Sequence, residues 1–375
     1  MIHFWGNPWT AVARSLHQGV FLLAARVSEA VGAKRTALWL LEKLLERFPR
    51  YRRLYLWAGR LCFQLGRLER ALRHILAAWP RLGEEELTGE RIGTLAGNLP
   101  RRDAAWILAT VGDYWRRKGE VKRALSFFDR ALAQGCASAV LLSSRGLCLL
   151  ALGSVEEALR NFQEARALGG KNAALCFNTA VALSRLGRYG EALRYYEEAR
   201  RLGFGGMELY NNLGFCLYHL HRYQEAESHF AEAYRLSSGD IEIGSNLAAC
   251  YLKTGKAEEA LKLLEDLRQR DPRDPVLLNN LAFALESCGR REEALKLYQE
   301  AAELAGEDKN HLYLLNLASC LVDLGRYAEA LALCHQLAGK MSDRRLWSLR
   351  ASILAELGEV SAATEYYRRA LGLTG

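Results

Sequence analysis

Five asparagines stand in register along the chain. Asn178, Asn212, Asn246, Asn280 and Asn316 follow one another at steps of 34, 34, 34 and 36 residues, and Thr110 and Ser144 extend the column upstream at the same 34-residue step. The 375-residue sequence holds only 12 asparagines, so chance does not put five of them here. An asparagine amide carries both a donor NH2 and an acceptor carbonyl. An extended peptide backbone presents the complementary pair, so a row of such amides can clamp a strand-like peptide along its main chain, indifferent to its side chains. In mid-helix each asparagine costs on the order of a few tenths of a kcal/mol relative to alanine, and a column kept at that cost asks for a benefit. Duplication is the other explanation, since copied segments share residues whether or not they share a role. Against it, the same position drifts to Leu23 and Trp57 at one end and to Leu349 at the other, while the middle five keep asparagine among different neighbours.

Other chemistry is sparse. Gly-rich phosphate loops, HExxH, GxSxG and paired acidic metal motifs do not occur in the sequence. His219, His221 and His229 fall on a helix end, a turn and a following helix, which reads as surface and turn histidines rather than zinc ligands. The Glu-Glu-Ala phrases at Glu156, Glu258 and Glu292 open helices, where carboxylates favour the positive end of the dipole. Of nine cysteines, Cys148, Cys216, Cys250 and Cys320 take the same place in successive periods. Equivalent positions on stacked units cannot reach the ~5.5 Å Cα separation of a disulfide. With no CxxC and no Cys/His zinc spacing, the nine thiols are expected to be free in a reducing cytoplasm. No metal and no cofactor is expected, and no catalysis.

The elements that must position the column follow from the period. Gly32, Gly66, Gly119, Gly153, Gly187, Gly255, Gly289, Gly325 and Gly358 each precede an alanine by five residues, and His221 stands where one further glycine is due. The steps between these turn residues are 34, 53, 34, 34, 34, 34, 34, 36 and 33. A period of 34 is a repeat array. Each unit reads as two helices. Tyr210, Leu213, Gly214 and Leu217 form one stripe, Ala226, Phe230 and Ala233 the matching stripe, and Phe230 fills the gap beside Gly214. Glycine in the turn supplies the left-handed conformation that ends a helix, which histidine tolerates better than branched residues do.

The stretch LYNNLGFCLYHLHRYQEAESHFAEAYRL, residues 209 to 236, closely resembles the tetratricopeptide repeat, and the resemblance runs from about residue 18 to the C-terminus. It implies an all-α, right-handed superhelical solenoid of about ten helix-turn-helix repeats, with first helices lining a concave groove. The expected organisation is a capping segment at 1–17, units one and two at 18–80, a short extra helix within the surplus at 81–101, and units three to ten at 102–375. The asparagine column is similar to the ladder in the repeats of the O-linked N-acetylglucosamine transferase, whose catalytic domain has no counterpart here. The resemblance implies a non-catalytic scaffold that binds an extended peptide of a partner protein through Asn178, Asn212, Asn246, Asn280 and Asn316, with Thr110 and Ser144 continuing the row. Phe177, Phe215, Tyr218, Phe283 and Leu315 would line the groove beside them. The Lys/Arg-plus-Asn clamp of chaperone-tail binders is missing, so recognition of a C-terminal carboxylate is not expected.

Composition bounds the partners. Half the residues are hydrophobic and a quarter charged, as in a core-forming chain. Residues 1 to 125 hold 22 Lys and Arg against 11 Asp and Glu, a net of +11, while the remainder is at −3. Seven of eight tryptophans lie in the first 115 residues. A basic, Trp-rich head supports an alternative: a peripheral adaptor on the inner membrane face. The opening residues also read as a helix, with Asn7 as cap and Pro8 first inside it, closing the solenoid end. Under that reading Trp39, Trp79 and Trp115 belong to the core. Basic residues spread over many helices without a motif argue against nucleic acid.

Overall fold

A computed structural model describes residues 20–80, 90–135, 137–306, 310–338 and 344–373, and among them every regular element is a helix. The chain divides into two compact units, Met1–Gly203 and Phe204–Gly375. In the first, helix pairs run α1 (20–30) with α2 (Lys34–Arg47), α3 (Arg52–Gln64) with α4 (Leu68–Ala78), α6 (Arg101–Arg117) with α7 (Val121–Ala133), α8 (Ala139–Ala151) with α9 (Val155–Ala167), and α10 (Ala173–Arg185) with α11 (Tyr189–Arg201). A short α5 (Glu90–Gly97) precedes α6 and packs on it, burying Ile92 and Ala96. The second unit pairs α12 (Met207–His219) with α13 (Tyr223–Leu236), α14 (Ile241–Lys253) with α15 (Ala257–Arg268), α16 (Pro275–Ser287) with α17 (Arg291–Ala305), α18 (His311–Asp323) with α19 (Tyr327–Ala338), and α20 (Arg344–Glu356) with α21 (Val360–Leu371). The fold is an α-solenoid of helix-turn-helix repeats. The segment 1–17 and residues 81–89 of the insertion lie outside the described residues.

Each pair closes on a small residue facing a large one. A Cβ added to Gly146 would stand 2.5 Å from Cε1 of Phe162, and one added to Gly214 would stand 2.9 Å from Phe230. Both rings are almost fully buried. The turns are built alike. In the fifth pair the Gly187 N–H bonds to the Ser184 carbonyl at 3.0 Å and the Arg188 N–H to the Leu183 carbonyl at 2.9 Å, a Schellman closure. His221 makes the same bonds, to Tyr218 at 3.0 Å with Arg222 to Leu217 at 2.9 Å, and does so at φ +61°. The expected positive φ is there, and the His221 ring also meets the Tyr223 hydroxyl, Nδ1 to Oη 2.7 Å.

Four first helices start on side-chain caps. Ser138 accepts from Leu141 N–H, Asn172 from Leu175, Asp240 from Ile243, and Asp274 from Val276 ahead of Pro275 at the first turn. Second helices have no such caps. Four of them begin instead with exposed Arg–Glu forks three residues apart, Arg188–Glu191, Arg222–Glu225, Arg290–Glu293 and Arg326–Glu329, each at 2.7 Å.

The tryptophan expectation needs correcting at one position. Trp39 is 55% exposed, on the outer side of α2, while Trp79 and Trp115 are half-buried under the guanidinium groups of Arg52 and Arg123, 4.2 and 3.8 Å from the ring centres. Trp106, by contrast, is core. The eight cysteines among the described residues are all free, and Cys148, Cys216, Cys250 and Cys320 are fully buried. Burial pushes the Cys250 thiol up to about 12. Cys136 lies outside the described residues.

Two substitutions test this packing. Gly146→Ala is expected to lower stability by about 1–3 kcal/mol through overpacking against Phe162, although alanine is the better helix former; thermal melting reads the loss, and Phe162→Leu in the same background should recover part of it. His221→Gly is expected to be neutral or stabilising by under ~1 kcal/mol, since its side-chain bond is exposed; a clear drop in melting temperature would show that the ring is needed.

Candidate functional site

The first helices touch one another as well as their own partners. In the first unit α6 meets α8 and α8 meets α10; in the second α12 meets α14, α14 meets α16 and α18 meets α20. The asparagine column lies on these helices, one residue per repeat. Along α16, Val276, Asn280, Phe283 and Ser287 fall at three- and four-residue steps, which sets them on one face. All five column asparagines are half-buried.

Their amides fall into two groups. Asn178 on α10 and Asn212 on α12 form no side-chain hydrogen bond to the described residues. Three others are tied into asparagine pairs. Asn246 Nδ2 donates to Asn211 Oδ1 at 3.3 Å, from α14 back to α12. Asn316 Nδ2 donates to Asn279 Oδ1 at 2.7 Å, from α18 back to α16, and Asn279 Nδ2 donates in turn to Asn280 Oδ1 at 3.5 Å. The NH2 groups of Asn246 and Asn316 and the carbonyl of Asn280 are therefore engaged within the protein. A residue one place earlier in the preceding repeat supplies a carbonyl, and the amide NH2 takes it. The carbonyls of Asn246 and Asn316 and the NH2 of Asn280 keep their capacity.

Several expected groove residues are walls instead. Thr110 is 1% exposed and its hydroxyl donates to the Trp106 carbonyl at 2.8 Å, and Ser144 is buried too. Phe177 turns inward against Tyr196 of α11, centroids 5.5 Å apart, and Leu315 is buried in the second unit's core. At their place in the repeat a large apolar side chain sinks between helices, whereas Asn211 and Asn279 at the same place stay half-buried and polar. Tyr218 is half-buried, pinned edge-on by Tyr223 at 5.3 Å. Phe215 and Phe283 do face solvent, 39% and 45% exposed, and Val276 and Leu312, which spacing did not single out, join them at 53% and 40%.

Electrostatics on this side are modest. Burial, with the Asp323 carboxylate adding to it, holds the Glu286 carboxyl on α16 above its ordinary range, and Tyr298 donates to it at 3.3 Å. The three histidines are each set against an aromatic ring: His219 against Phe215 at 4.4 Å, His221 against Tyr223 at 5.8 Å, and His229 stacked on Tyr210 at 6.0 Å. Sequence reasoning missed the part played by Asn211 and Asn279, although the paired letters at 211–212 and 279–280 carry the signal. No described helix is long and apolar enough to cross a membrane.

Helix pairs at this period, with small residues facing rings and Schellman turns between, define a helical-repeat protein. Tetratricopeptide repeat profiles match residues 22–85, 144–206, 177–241 and 315–375, and further profiles of that description match 217–282 and 274–334. The chain belongs to the tetratricopeptide repeat family, whose members generally mediate protein–protein interaction. Among solved structures, yeast Tom70 is 17% identical with a TM-score of 0.50, covering 95% of this chain and 85% of its own. A tetratricopeptide repeat protein from Parabacteroides merdae ATCC 43184 is 18% identical at a TM-score of 0.45, covering 72% of this chain and 93% of its own. YrrB, described as a TPR protein with an unusual peptide-binding site, is 22% identical at 0.41, covering 47% of this chain and 91% of its own. These likenesses concern the fold alone. No curated protein matches the sequence.

The two groups of amides should respond differently to truncation. Asn316→Ala removes a 2.7 Å bond and is expected to cost about 0.5–1.5 kcal/mol, reduced by the helix preference of alanine. Asn178→Ala and Asn212→Ala remove nothing internal and should be neutral or slightly stabilising. Melting of the three single variants decides between this division and a uniform structural role.

Proposed function

We propose that this protein is a non-catalytic scaffold whose first-helix face binds an extended peptide segment of a partner protein. The observation that carries the reading is the Asn212 amide, half-buried and without an internal partner, three residues from an exposed Phe215. That amide is open to solvent, so a ligand can take up its donor and acceptor without breaking a bond within the protein. The free capacity on Asn246, Asn280 and Asn316 continues that row, with donors and acceptors both represented, as a peptide main chain requires. Phe215, Phe283, Val276 and Leu312 supply apolar contacts for the side chains that project from such a strand. The eight free thiols among the described residues suit a reducing compartment such as the cytoplasm.

The test starts from peptides selected on the full-length protein from a random-sequence library. Asn212→Ala, Asn246→Ala and Asn280→Ala combined should weaken the selected peptides by about 2–4 kcal/mol, tens to several hundred fold. Methylating the peptide's backbone nitrogens should weaken binding comparably, and stability should fall by no more than the loss of the Asn246–Asn211 bond costs, about 0.5–1.5 kcal/mol. Unchanged affinity in a folded triple variant would make the column a relic of duplication and end the peptide-clamp reading.

A further inference from the structure

The first unit brings together three side chains that no spacing in the sequence connects. Glu42 on α2, Cys62 on α3 and His74 on α4 each offer one donor atom, and the three atoms lie within 4.8 Å of one another. The Glu42 Oε1 and His74 Nε2 atoms stand 3.9 Å apart, too far for a hydrogen bond. The Cys62 sulfur has no hydrogen-bond partner among the described residues. We propose that Glu42, Cys62 and His74 form a binding site for a divalent transition-metal ion of the zinc type, with the fourth position open.

Ligand chemistry and repeat context support it. Thiolate, imidazole and carboxylate are the three zinc donors, and three protein ligands with one open position is a regular zinc arrangement. With bonds of about 2.0–2.3 Å, tetrahedral ligands are separated by about 3.3–3.8 Å, so the ion would draw these atoms together by up to about 1–1.5 Å. Exposure is graded: Cys62 is fully buried, the His74 side chain is 15% exposed and the Glu42 side chain 36% exposed, which leaves a way in on the carboxylate side. The residues also depart from the repeat. Where this chain has Cys62, later repeats have leucine at Leu149, Leu183, Leu217, Leu285, Leu321 and Leu354 and an aromatic at Trp115 and Tyr251, whereas the place of His74 varies, from Leu263, Leu297 and Leu333 to Asn161 and His229. A thiol at the first place beside an imidazole at the second occurs in this repeat alone among the second to tenth.

Protonation is compatible. Burial lowers His74 from its ordinary value, so the imidazole is neutral and free to bind. The Cys62 thiol is pushed up to about 11 by burial, with Glu42 adding to it and Arg70, Arg67 and Arg73 opposing. Binding therefore displaces the thiol proton to solvent: a sulfur–metal bond forms, the S–H bond breaks, and one H+ leaves per ion. Arg70, 3.9 Å from Glu42, must give way. The site does not rest on the peptide-binding reading.

The experiment uses the full-length protein, reduced and stripped of metal with a chelator, titrated with Co2+ as a spectroscopic probe. A near-ultraviolet thiolate-to-cobalt band at one equivalent is expected, with release of one proton and displacement by Zn2+. His74→Gln and Cys62→Ala should each weaken Zn2+ by more than about 100-fold, beyond the loss seen when a ligand's supporting partner is removed, and Glu42→Gln by at least about tenfold. Cys148→Ala should leave the band intact. Zn2+ should raise the melting temperature of the wild type and not of His74→Gln. If Cys62→Ala fails to fold, His74→Gln and Glu42→Gln decide, since both positions are partly exposed. Absence of a thiolate band in the wild type, or a band that survives His74→Gln, would overturn the site.

Discussion

The structure depends on one steric constraint repeated down the chain: a first helix may approach its second only where a missing side chain meets a filling one. Gly112 with Phe128, Gly146 with Phe162, Ala180 with Tyr196, Gly214 with Phe230 and Ala282 with Tyr298 are versions of the same contact, and all of these residues are buried. Where the second partner shrinks to Leu264 or Cys334, the first is an alanine, Ala248 or Ala318. The first residue stays small in every one of these pairs, while the second varies from tyrosine to cysteine. Dense packing of this kind fixes the direction of every side chain on the far face of the first helix.

That far face is where recognition chemistry can be placed without disturbing the fold. The contact residues consume one stripe of each first helix and leave the opposite stripe to vary. The asparagines use this freedom in two ways. Asn246–Asn211 and Asn316–Asn279 stitch consecutive first helices together, a nearest-neighbour term of the sort that holds repeat arrays. Asn212 and Asn178 take no part in such pairs. One residue type at one repeat position thus serves cohesion in some units and leaves open hydrogen-bonding capacity in others.

The second repeat spends its freedom differently. It carries Cys62 where most later repeats carry leucine, with His74 beside it, and Glu42 reaches them from the preceding helix. Polar donors in a packing layer are costly unless something satisfies them. The basic surroundings, with Arg67, Arg70 and Arg73 all acting on Cys62, favour its thiolate and disfavour a cation, so an ion held there would be held by direct bonds rather than by the field.

Most of the fold was legible in the letters. A 34-residue period, turn glycines and the small-to-large pairing are local or regularly spaced features, and a solenoid has only neighbour contacts, so periodicity carries nearly all its topological information. Even His221 at positive φ followed from its place in the period. The candidate site was legible only in part. The column of asparagines came from sequence, but which amides are occupied did not, because Asn316 meets Asn279 across 37 residues through the packing of two helices. Phe177 and Leu315 sank into the core while Phe215 and Phe283 stayed out, a difference of a few residues' offset around the helix that hydrophobicity cannot report. The Glu42, Cys62 and His74 cluster had no signature at all, since three donors on three helices become neighbours only when the helices pack. Sequence determined which residues recur and what frame they hang on; tertiary structure decided which of their polar atoms are spent and which remain free, because that depends on distances no spacing rule contains.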